Sequence, residues 1–357
     1  MPTLSTPNVP GLAGHGAGQL AAVHIDTYNA ELRDEGGFIG DRASGRAFRA
    51  ILDDGRERVR DDDGDGDPVG KTPSKNISKK KLDRMMQDGD PEAAGVVLGT
   101  IEEFAQEFAT VIRRFMRLDD WRGTQRIVVG GGLRDSRIGE LAIGRTAVLL
   151  KGSEHEVEMH PIRHDPDEAG LIGCIHLAPP WIFSGHDSIL AVDIGGSNIR
   201  VGIVELNTRK APDLSKACVA VSELWRHADD QPDREAAVAR LVGMLQGLIK
   251  RAGKQGLQPA PFIGIGCPGL IREDGSIEKG GQNLPGDWEH KSFNLPQLLR
   301  DAIPSIGGHE AVVLMHNDAV VQGLSEVPFM RDVERWGVMT IGTGLGNARF
   351  TNRPGAE

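Results

Sequence analysis

The chain is poor in aromatic residues, in cysteine, in net positive charge and in long apolar runs, and each scarcity removes a class of function. Phe, Trp and Tyr make up 4% of its 357 residues and Tyr occurs once, too few flat side chains for a base-stacking platform. Cys174, Cys218 and Cys267 are odd in number, far apart and set among apolar residues. They read as buried, reduced thiols rather than disulfides or metal ligands, and a cytoplasmic location is the matching expectation. No uninterrupted apolar stretch reaches the ~20 residues that span a bilayer. Residues 1–18 are rich in Gly and Pro but lack a basic stretch followed by an apolar run, so neither secretion nor a membrane partner is expected. Lys and Arg number 41 against 51 Asp and Glu, a formal net charge of -10, which argues against a nucleic-acid partner because phosphate-backbone binding needs clustered cations. The one basic cluster, residues 71–81, reads as a solvated loop and helix start.

What the chain has in plenty is glycine, 47 residues, much of it at the ends of apolar runs. The stretch that organises the rest is Leu190-Ala-Val-Asp-Ile-Gly-Gly-Ser-Asn-Ile-Arg-Val-Gly-Ile-Val-Glu205. Its two apolar runs, 189–194 and 199–204, flank a four-residue polar turn and read as a β-hairpin. Gly195, Gly196, Ser197 and Asn198 can expose backbone N–H groups to a phosphate, with Asp193 at the strand's end facing a phosphate-bound Mg²⁺. The plainer reading is a hairpin tip with an exposed Asp.

At 38.4 kDa the chain is long enough for two lobes. Strands are expected at 20–27, 126–133, 157–162, 217–224, 262–267, 311–316, 336–341 and 347–352. Helices are expected from 46, over 79–87, 91–118, 138–150, 166–177, 233–251, 295–302 and 319–326. The longest has Asp90 as its cap and Pro91 at its first position, with apolar residues at 3- and 4-residue steps. Asp61, Asp63, Asp65 and Gly66 imitate a calcium loop, but Thr72 stands where a bidentate Glu belongs, so an acidic solvated loop is the reading.

Polar and glycine-rich signals sit at strand ends. Asn317-Asp318 precedes a helix, where Asp318 reads as a catalytic base facing a cleft or as a helix cap. Gly342-Thr343-Gly344-Leu345-Gly346 and Gly130-Gly131-Gly132 read as turns pressed against a ligand or as plain tight turns. Loop residues Asn283, Asp287 and Trp288 can offer hydrogen bonds and an apolar face to a polyhydroxylated ligand. Two glycine-rich turns after strands suit a nucleotide, and phosphoryl transfer follows, with Asp318 taking the proton of an acceptor hydroxyl.

In order, DIGGSNIRVGIVE, GIGCPG, NLPGDWE, HNDA and GTGLG resemble the motifs of the ROK family of bacterial sugar kinases and related repressors, in the actin and hexokinase superfamily. The resemblance implies an α/β fold of two ribonuclease-H-like lobes around a nucleotide and sugar cleft. It assigns Asp193, Gly195, Gly196 and Asn198 to a first phosphate motif, Gly342 to Gly346 to a second, Asp318 to the base and Asn317 to a sugar contact. In the family, the sugar, zinc and adenosine segments follow GTGLG. Here their counterparts precede it, in 1–182, with Gly130, Gly131 and Gly132 on the adenosine strand, so the sequence resembles a circular permutation whose old termini meet through 178–187. Residues 1–165 are then large lobe, 166–316 small lobe, and 317–357 the remainder of the large lobe.

The resemblance weakens at the sugar site. Gln19 and Ala22 replace the family's Glu and His, and Gly40 replaces another Glu. Gln19 and His24 are the candidates to substitute, beside Asn283 and Asn317. The family's zinc-binding His and cysteines are not matched, and no structural zinc is expected. The reading is an ATP- and Mg²⁺-dependent kinase, as monomer or homodimer, for a sugar or sugar-like polyol. The alternatives are a sugar or nucleotide sensor on the same fold and an actin-like ATPase.

Overall fold

The computed structural model describes residues 11–60, 66–152 and 156–354; the acidic repeat at Asp61, Asp63 and Asp65 lies outside them. The strands are β1 (Val23–Tyr28), β2 (Arg126–Gly130), β3 (Glu158–Pro161), β4 (Ser188–Ile194), β5 (Ile199–Glu205), β6 (Cys218–Trp225), β7 (Pro259–Cys267), β8 (Val312–Asn317), β9 (Arg335–Ile341) and β10 (Leu345–Asn352). The helices are α1 (Gly45–Glu57), α2 (Lys79–Asp88), α3 (Pro91–Phe115), α4 (Arg137–Leu150), α5 (Pro166–Gly173), α6 (Arg234–Gln255), α7 (Leu295–Ala302) and α8 (Asp318–Leu324). A one-turn helix, His227–Asp230, short two-residue ribbons, 3₁₀ turns and loops also occur among the described residues. The mixed α/β class expected from the sequence is present.

The chain divides into two compact units. The first comprises residues 1–29, 167–334 and 348–357; the second comprises 30–166 and 335–347. These boundaries set residues 1–29, 317–334 and 348–357 with 167–316, whereas the sequence reading groups them with the large lobe. The hydrogen bonding gives the reason: Gly16 N–H donates to Met315 O at 3.0 Å, and Met315 N–H donates to His15 Nδ1 at 3.1 Å.

In the first unit the strands pair in the order β8-β7-β4-β5-β6. β4 and β5 form the expected antiparallel hairpin, in register from Ser188 opposite Glu205 to Ile194 opposite Ile199. β7 runs parallel to both β4 and β8. Because side chains alternate along a strand, Leu190, Val192 and Ile194 share one face with Val201 and Ile203. That face forms the core beneath α6 and α7. The opposite face is built from small residues. A Cβ at Gly202 would lie 2.7 Å from Leu171 Cδ1, and one at Gly264 would lie 2.6 Å from Cys174 Cβ, so α5 and the turn after it sit close against the sheet. Cys174 and Cys267 are buried as expected, but Cys218 is exposed. It stands on the edge strand β6, whose residues alternate between exposed and half-buried, so its apolar neighbours in sequence cover only one face.

The second unit packs α3 against α1, α2 and α4 over the parallel strands β9, β2 and β3. Phe104, Phe108, Val111, Ile112 and Phe115 of α3 lie in its core with Trp121, Val129 and Ile341. Asp90 caps α3 by accepting the Glu92 N–H at 2.8 Å, as the sequence predicts. The first residues of β10, 345–347, belong to this unit beside β9, whereas 348–352 belong to the first unit, where β1 pairs with them antiparallel. Among the described residues no helix is long and apolar enough to cross a membrane.

Candidate active site

In the first unit, β4, β7 and β8 are parallel, so their carboxyl ends finish along one edge. Asp193 of β4 is opposite Gly266 of β7, and Gly266 is opposite His316 of β8. The chain continues from His316 through Asn317 into Asp318, the first residue of α8. A Cβ built on Gly266 would lie 3.6 Å from both Asp193 Oδ1 and the Asp318 Cα. The two carboxylates therefore flank a glycine that leaves space between them.

Alternation directs Asp193 to the small-residue face, away from the core. There α5 crosses so closely that a Cβ on Gly170 would fall 2.6 Å from the Asp193 Cγ and within 2.8 Å of both oxygens. Directly across the hairpin, Arg200 pairs with Asp193. Its guanidinium lies 3.9 Å from Asp193 Oδ2 and 2.8 Å from Asp167 Oδ1. The Asp193 side chain keeps 19% of its surface exposed.

The electrostatics of the pair follow from this crowding. Loss of water, then the neighbouring Asp193 charge, pushes Asp318 up to about 7. Burial likewise pushes Asp193 up to about 6, with Arg200 pulling it down and Asp167 pushing it further up. The Asp193 charge thus disfavours the charged form of the neighbouring Asp318, and a carboxyl poised near neutrality is suited to take a proton. Asn317 caps α8, its Oδ1 accepting from Ala319 N at 3.0 Å and Val320 N at 3.2 Å, and Asp318 Oδ1 also accepts from Ala319 N at 2.9 Å, so one carboxylate oxygen of Asp318 shares in the cap. Asn317 also donates to Gly269 O at 3.0 Å. It is 2% exposed, and its amide is committed to holding Asp318 in place.

The hairpin turn is tightened by Gly195 N–H donating to Asn198 O at 2.8 Å. That N–H is thus occupied; in the turn Gly196 is half-buried and Ser197 and Asn198 are exposed. His227 Nε2 meets Gly195 O at 2.9 Å. Gly196 is fixed by close approach, because a Cβ there would be 3.0 Å from that of Asn283. Asn283 is exposed, beside the turn. Trp288, expected to offer an apolar face, is 1% exposed. It donates to Pro285 O at 2.7 Å and packs on Phe293, because a large ring gains more from the core than from a wet loop. Gln19 and His24 are exposed and paired by an isolated bridge.

The second unit carries the other glycine turns. β9 and β2 are parallel, with Thr340 opposite Gly130, so their carboxyl ends also share an edge. Gly131 has a φ of +83°, and a Cβ there would lie 2.5 to 2.7 Å from the Ile341 backbone. Glycine is obligatory at that position for packing alone. Gly342 N–H closes on Gly344 O at 3.0 Å, and Gly342 O accepts from Gly45 N at 2.9 Å. Thr343 O accepts from Arg46 Nε at 3.0 Å. Gly342 and Thr343 stay exposed, while Gly344 and Gly346 are half-buried. Lys79 Nζ donates to Gly132 O.

No family model matches the chain. Its curated relatives include the polyphosphate glucokinases of Mycobacterium tuberculosis strains H37Rv and H37Ra, each 26% identical over 165 residues, which is 45% of this chain and 52% of the relative. The chain thus spans about half the length of the curated relatives it matches. Among solved structures it is similar to a ROK family glucokinase from Streptomyces griseus in complex with glucose and AMPPNP, at 20% identity and a TM-score of 0.34 over 47% of this chain and 46% of that one. It is also similar to a ROK hexokinase from Thermus thermophilus, at 20% identity and a TM-score of 0.29 over 45% of each chain.

Residues that sequence reasoning missed are Arg200, Asp167, Gly170 and Gly266. Arg200 carried a readable signal, since a four-residue turn places it opposite Asp193. Gly266 lies within the GIGCPG motif, but the carboxylates that the two glycines meet come from other elements, so their place in the site was not readable.

Proposed function

We propose that the protein is an ATP-dependent, Mg²⁺-requiring kinase that phosphorylates a hydroxyl of a sugar or sugar-like polyol. The observation that carries this reading is Asp318: a carboxyl held up to about 7 at the end of a parallel strand, beside a second carboxylate. The name of the curated relatives, polyphosphate glucokinase, supports the same activity.

Among the described residues no group of three or more His, Cys, Asp or Glu can hold a metal. Asp193 alone suits Mg²⁺, which typically takes one or two carboxylates and completes its shell with substrate phosphates and waters. When bound, the ion neutralises charge on the phosphates. Asp193 would hold it, with Arg200 limiting how far the carboxylate turns. Asp318 accepts the proton of the acceptor hydroxyl as its oxygen attacks the γ-phosphorus; the bond from that phosphorus to the bridging oxygen breaks and ADP leaves. Gly196, Ser197 and Asn198 would meet phosphate, with Gly342, Thr343, Gly344 and Gly346 as the second phosphate segment and Gly130, Gly131 and Gly132 as the adenosine segment. Asn283, Gln19 and His24 are the proposed acceptor contacts, and Asn317 acts through its grip on α8.

The finer reading of the fold is a circular permutation of two ribonuclease-H-like lobes. Counting from β4, the first sheet runs third, second, first, fourth, fifth, with the second strand antiparallel to the first. Counting from β9, the pairings β1, β10, β9, β2, β3 repeat that order, provided β10 continues into β1. In an unpermuted chain of that order β10 and β1 would be the consecutive second and third strands. A match in one linear run, such as the 165 residues shared with the curated relatives, can cover only one of two exchanged halves.

The test is ADP release with a panel of sugars and polyols. Turnover stimulated by one of them is expected, and Asp318→Asn should abolish it while nucleotide still binds; an unchanged rate rejects the assignment of the base. For the permutation, joining residue 357 to residue 1 and opening the chain within 178–187 should preserve folding and turnover.

A further inference from the structure

A cavity of about 560 Å³ lies within the first unit and takes no part in the phosphoryl transfer described above. Its walls include Ile175, His176, Leu214, Val327, Arg331 and Arg353. Ile175, Leu214 and Val327 are buried and give it an aliphatic floor, and no Phe, Tyr or Trp lines it among the described residues. Leu214 takes a φ of +63°, a strained conformation for a residue with a Cβ, of the kind that persists where the surroundings impose it. The rim is charged. Arg353 Nη1 donates to Leu20 O at 2.7 Å and to Ala21 O at 3.2 Å, which anchors the side chain and leaves the rest of its guanidinium fork for a ligand. Arg331 is exposed. The turn that carries it is fixed by Asn352, whose Nδ2 donates to Met330 O at 2.5 Å and to Val333 O at 2.7 Å. Three carboxylates share the rim. Asp213 Oδ1 accepts from the Ser215 N–H at 3.1 Å and hydroxyl at 2.7 Å, and Asp332 and Glu334 have partners of their own.

The cavity stands at the ends of two helices that begin at the carboxylate pair. α5 carries Gly170 against Asp193 and passes directly into the turn Cys174–His176, which supplies Ile175 and His176 to the wall. α8 starts with Asp318 and continues towards Val327, Glu326 N–H donating to Gly323 O at 2.9 Å. The two are packed backbone to backbone, since a Cβ on Gly173 would fall 1.7 Å from Val321 O. A ligand in the cavity therefore bears on both helices at the ends away from Asp193 and Asp318. The lining also selects the ligand. A sugar would leave hydroxyls unpaired against the floor and a nucleobase would find no ring to stack on, whereas an alkyl chain gains by leaving water and a carboxylate matches a guanidinium fork. We propose that this cavity is an effector site for an aliphatic carboxylate. The carboxylate meets Arg331 and Arg353, the alkyl body lies on Ile175, Leu214 and Val327, and occupation steadies α5 and α8. As a binding site the proposal is independent of the kinase reading; its effect on turnover rests on that reading.

The experiment is calorimetric titration of the full chain with hexanoate, acetate and hexan-1-ol, followed by amide hydrogen exchange. Hexanoate should bind about 10²-fold more tightly than acetate, which lacks the alkyl body, and about 10-fold more tightly than the alcohol, which lacks the charge. Arg331→Gln, at an exposed side chain, should weaken hexanoate by about 10-fold and leave the alcohol unchanged. With hexanoate near saturation the amides of α5 and α8 should exchange up to about 10-fold more slowly, and those of α6, which does not line the cavity, should change less. In the sugar-stimulated assay hexanoate should shift the half-saturating acceptor concentration by about 5-fold or more, and Arg331→Gln should remove the shift. Equal affinities for hexanoate and acetate, or unchanged hexanoate affinity in an Arg331→Gln protein with the wild-type melting temperature, overturn the site. Hexanoate binding that leaves exchange in α5 and α8 unaltered overturns the effector role. Binding and slowed exchange in a chain that phosphorylates no sugar would count against the kinase and not against this cavity.

Discussion

The carboxyl edges of the parallel strands in the two units differ in what they present. In the first unit the edge is acidic and crowded: Asp193 and Asp318 flank Gly266, and Gly170 is pressed against the Asp193 carboxyl. In the second it is glycine-rich, with Gly131 packed on Ile341 and cations gathered around Gly342 and Thr343. Parallel strand ends thus support two chemistries. An edge that concentrates carboxylates can take a proton and hold a cation, whereas one of bare backbone and cations can hold an anion. The difference lies in a few side chains at strand ends, and ordinary packing forces decide how many of them are available.

Substitutions can break that contrast. The largest effect is expected from Asp318→Asn, which removes the proton acceptor and should lower kcat by about 10²- to 10⁴-fold in the sugar-stimulated assay. In the wild-type protein the rate should rise with pH through about 7. Gly131→Ala, which strains both a φ of +83° and a contact of 2.5 Å with backbone, should cost about 2 to 4 kcal/mol in chemical denaturation. Gly170→Ala should displace the Asp193 carboxyl at about 1 to 3 kcal/mol and raise the Mg²⁺ concentration needed for half-maximal rate; an unchanged Mg²⁺ requirement would remove Asp193 from the metal's shell.

The dyad also predicts a pH-dependent stability. Both pKa values are raised above those of the unfolded chain, so the stabilisation belongs to the protonated forms. It is complete below about pH 4 and is lost as pH climbs through about 6 and then about 7. Asp318→Asn should therefore stabilise the protein at pH 8 by on the order of 1 to 3 kcal/mol, with the gain vanishing near pH 4 in urea melts. The smallest expected change is for Arg200→Gln: losing the cation 3.9 Å from Asp193 should move the titration of the Asp193 carboxyl, followed by NMR, upward by less than about one pH unit. A titration that stays put would show that Asp167 alone engages Arg200.

The readable parts of the fold were those set by short-range forces. The β4–β5 hairpin, the long α3 with Asp90 and Pro91 at its start, and the strand entering Gly130 all follow from periodicity and capping. Trp288 and Cys218 were misjudged for a common reason. The local apolar pattern does not say which side of a strand or loop the rest of the chain will cover, and the core took Trp288 while the edge strand left Cys218 out. Asn317 and Asp318 are adjacent and chemically similar, and only the start of α8 decided that Asn317 would be the cap.

The sequence by itself determined where the strands stop, that glycine or acid stands at those ends, and the order in which the pieces are joined. Those are properties of neighbours along the chain. The tertiary structure decided that Asp193 and Asp318 share one desolvated edge and titrate near neutrality, that Gly131 and Gly170 are glycines because backbone and carboxylate press on them, and that Arg46, Arg49 and Lys75 line one cavity. Burial, charge coupling and close approach depend on residues distant in sequence, and their magnitudes are fixed only when the chain is folded.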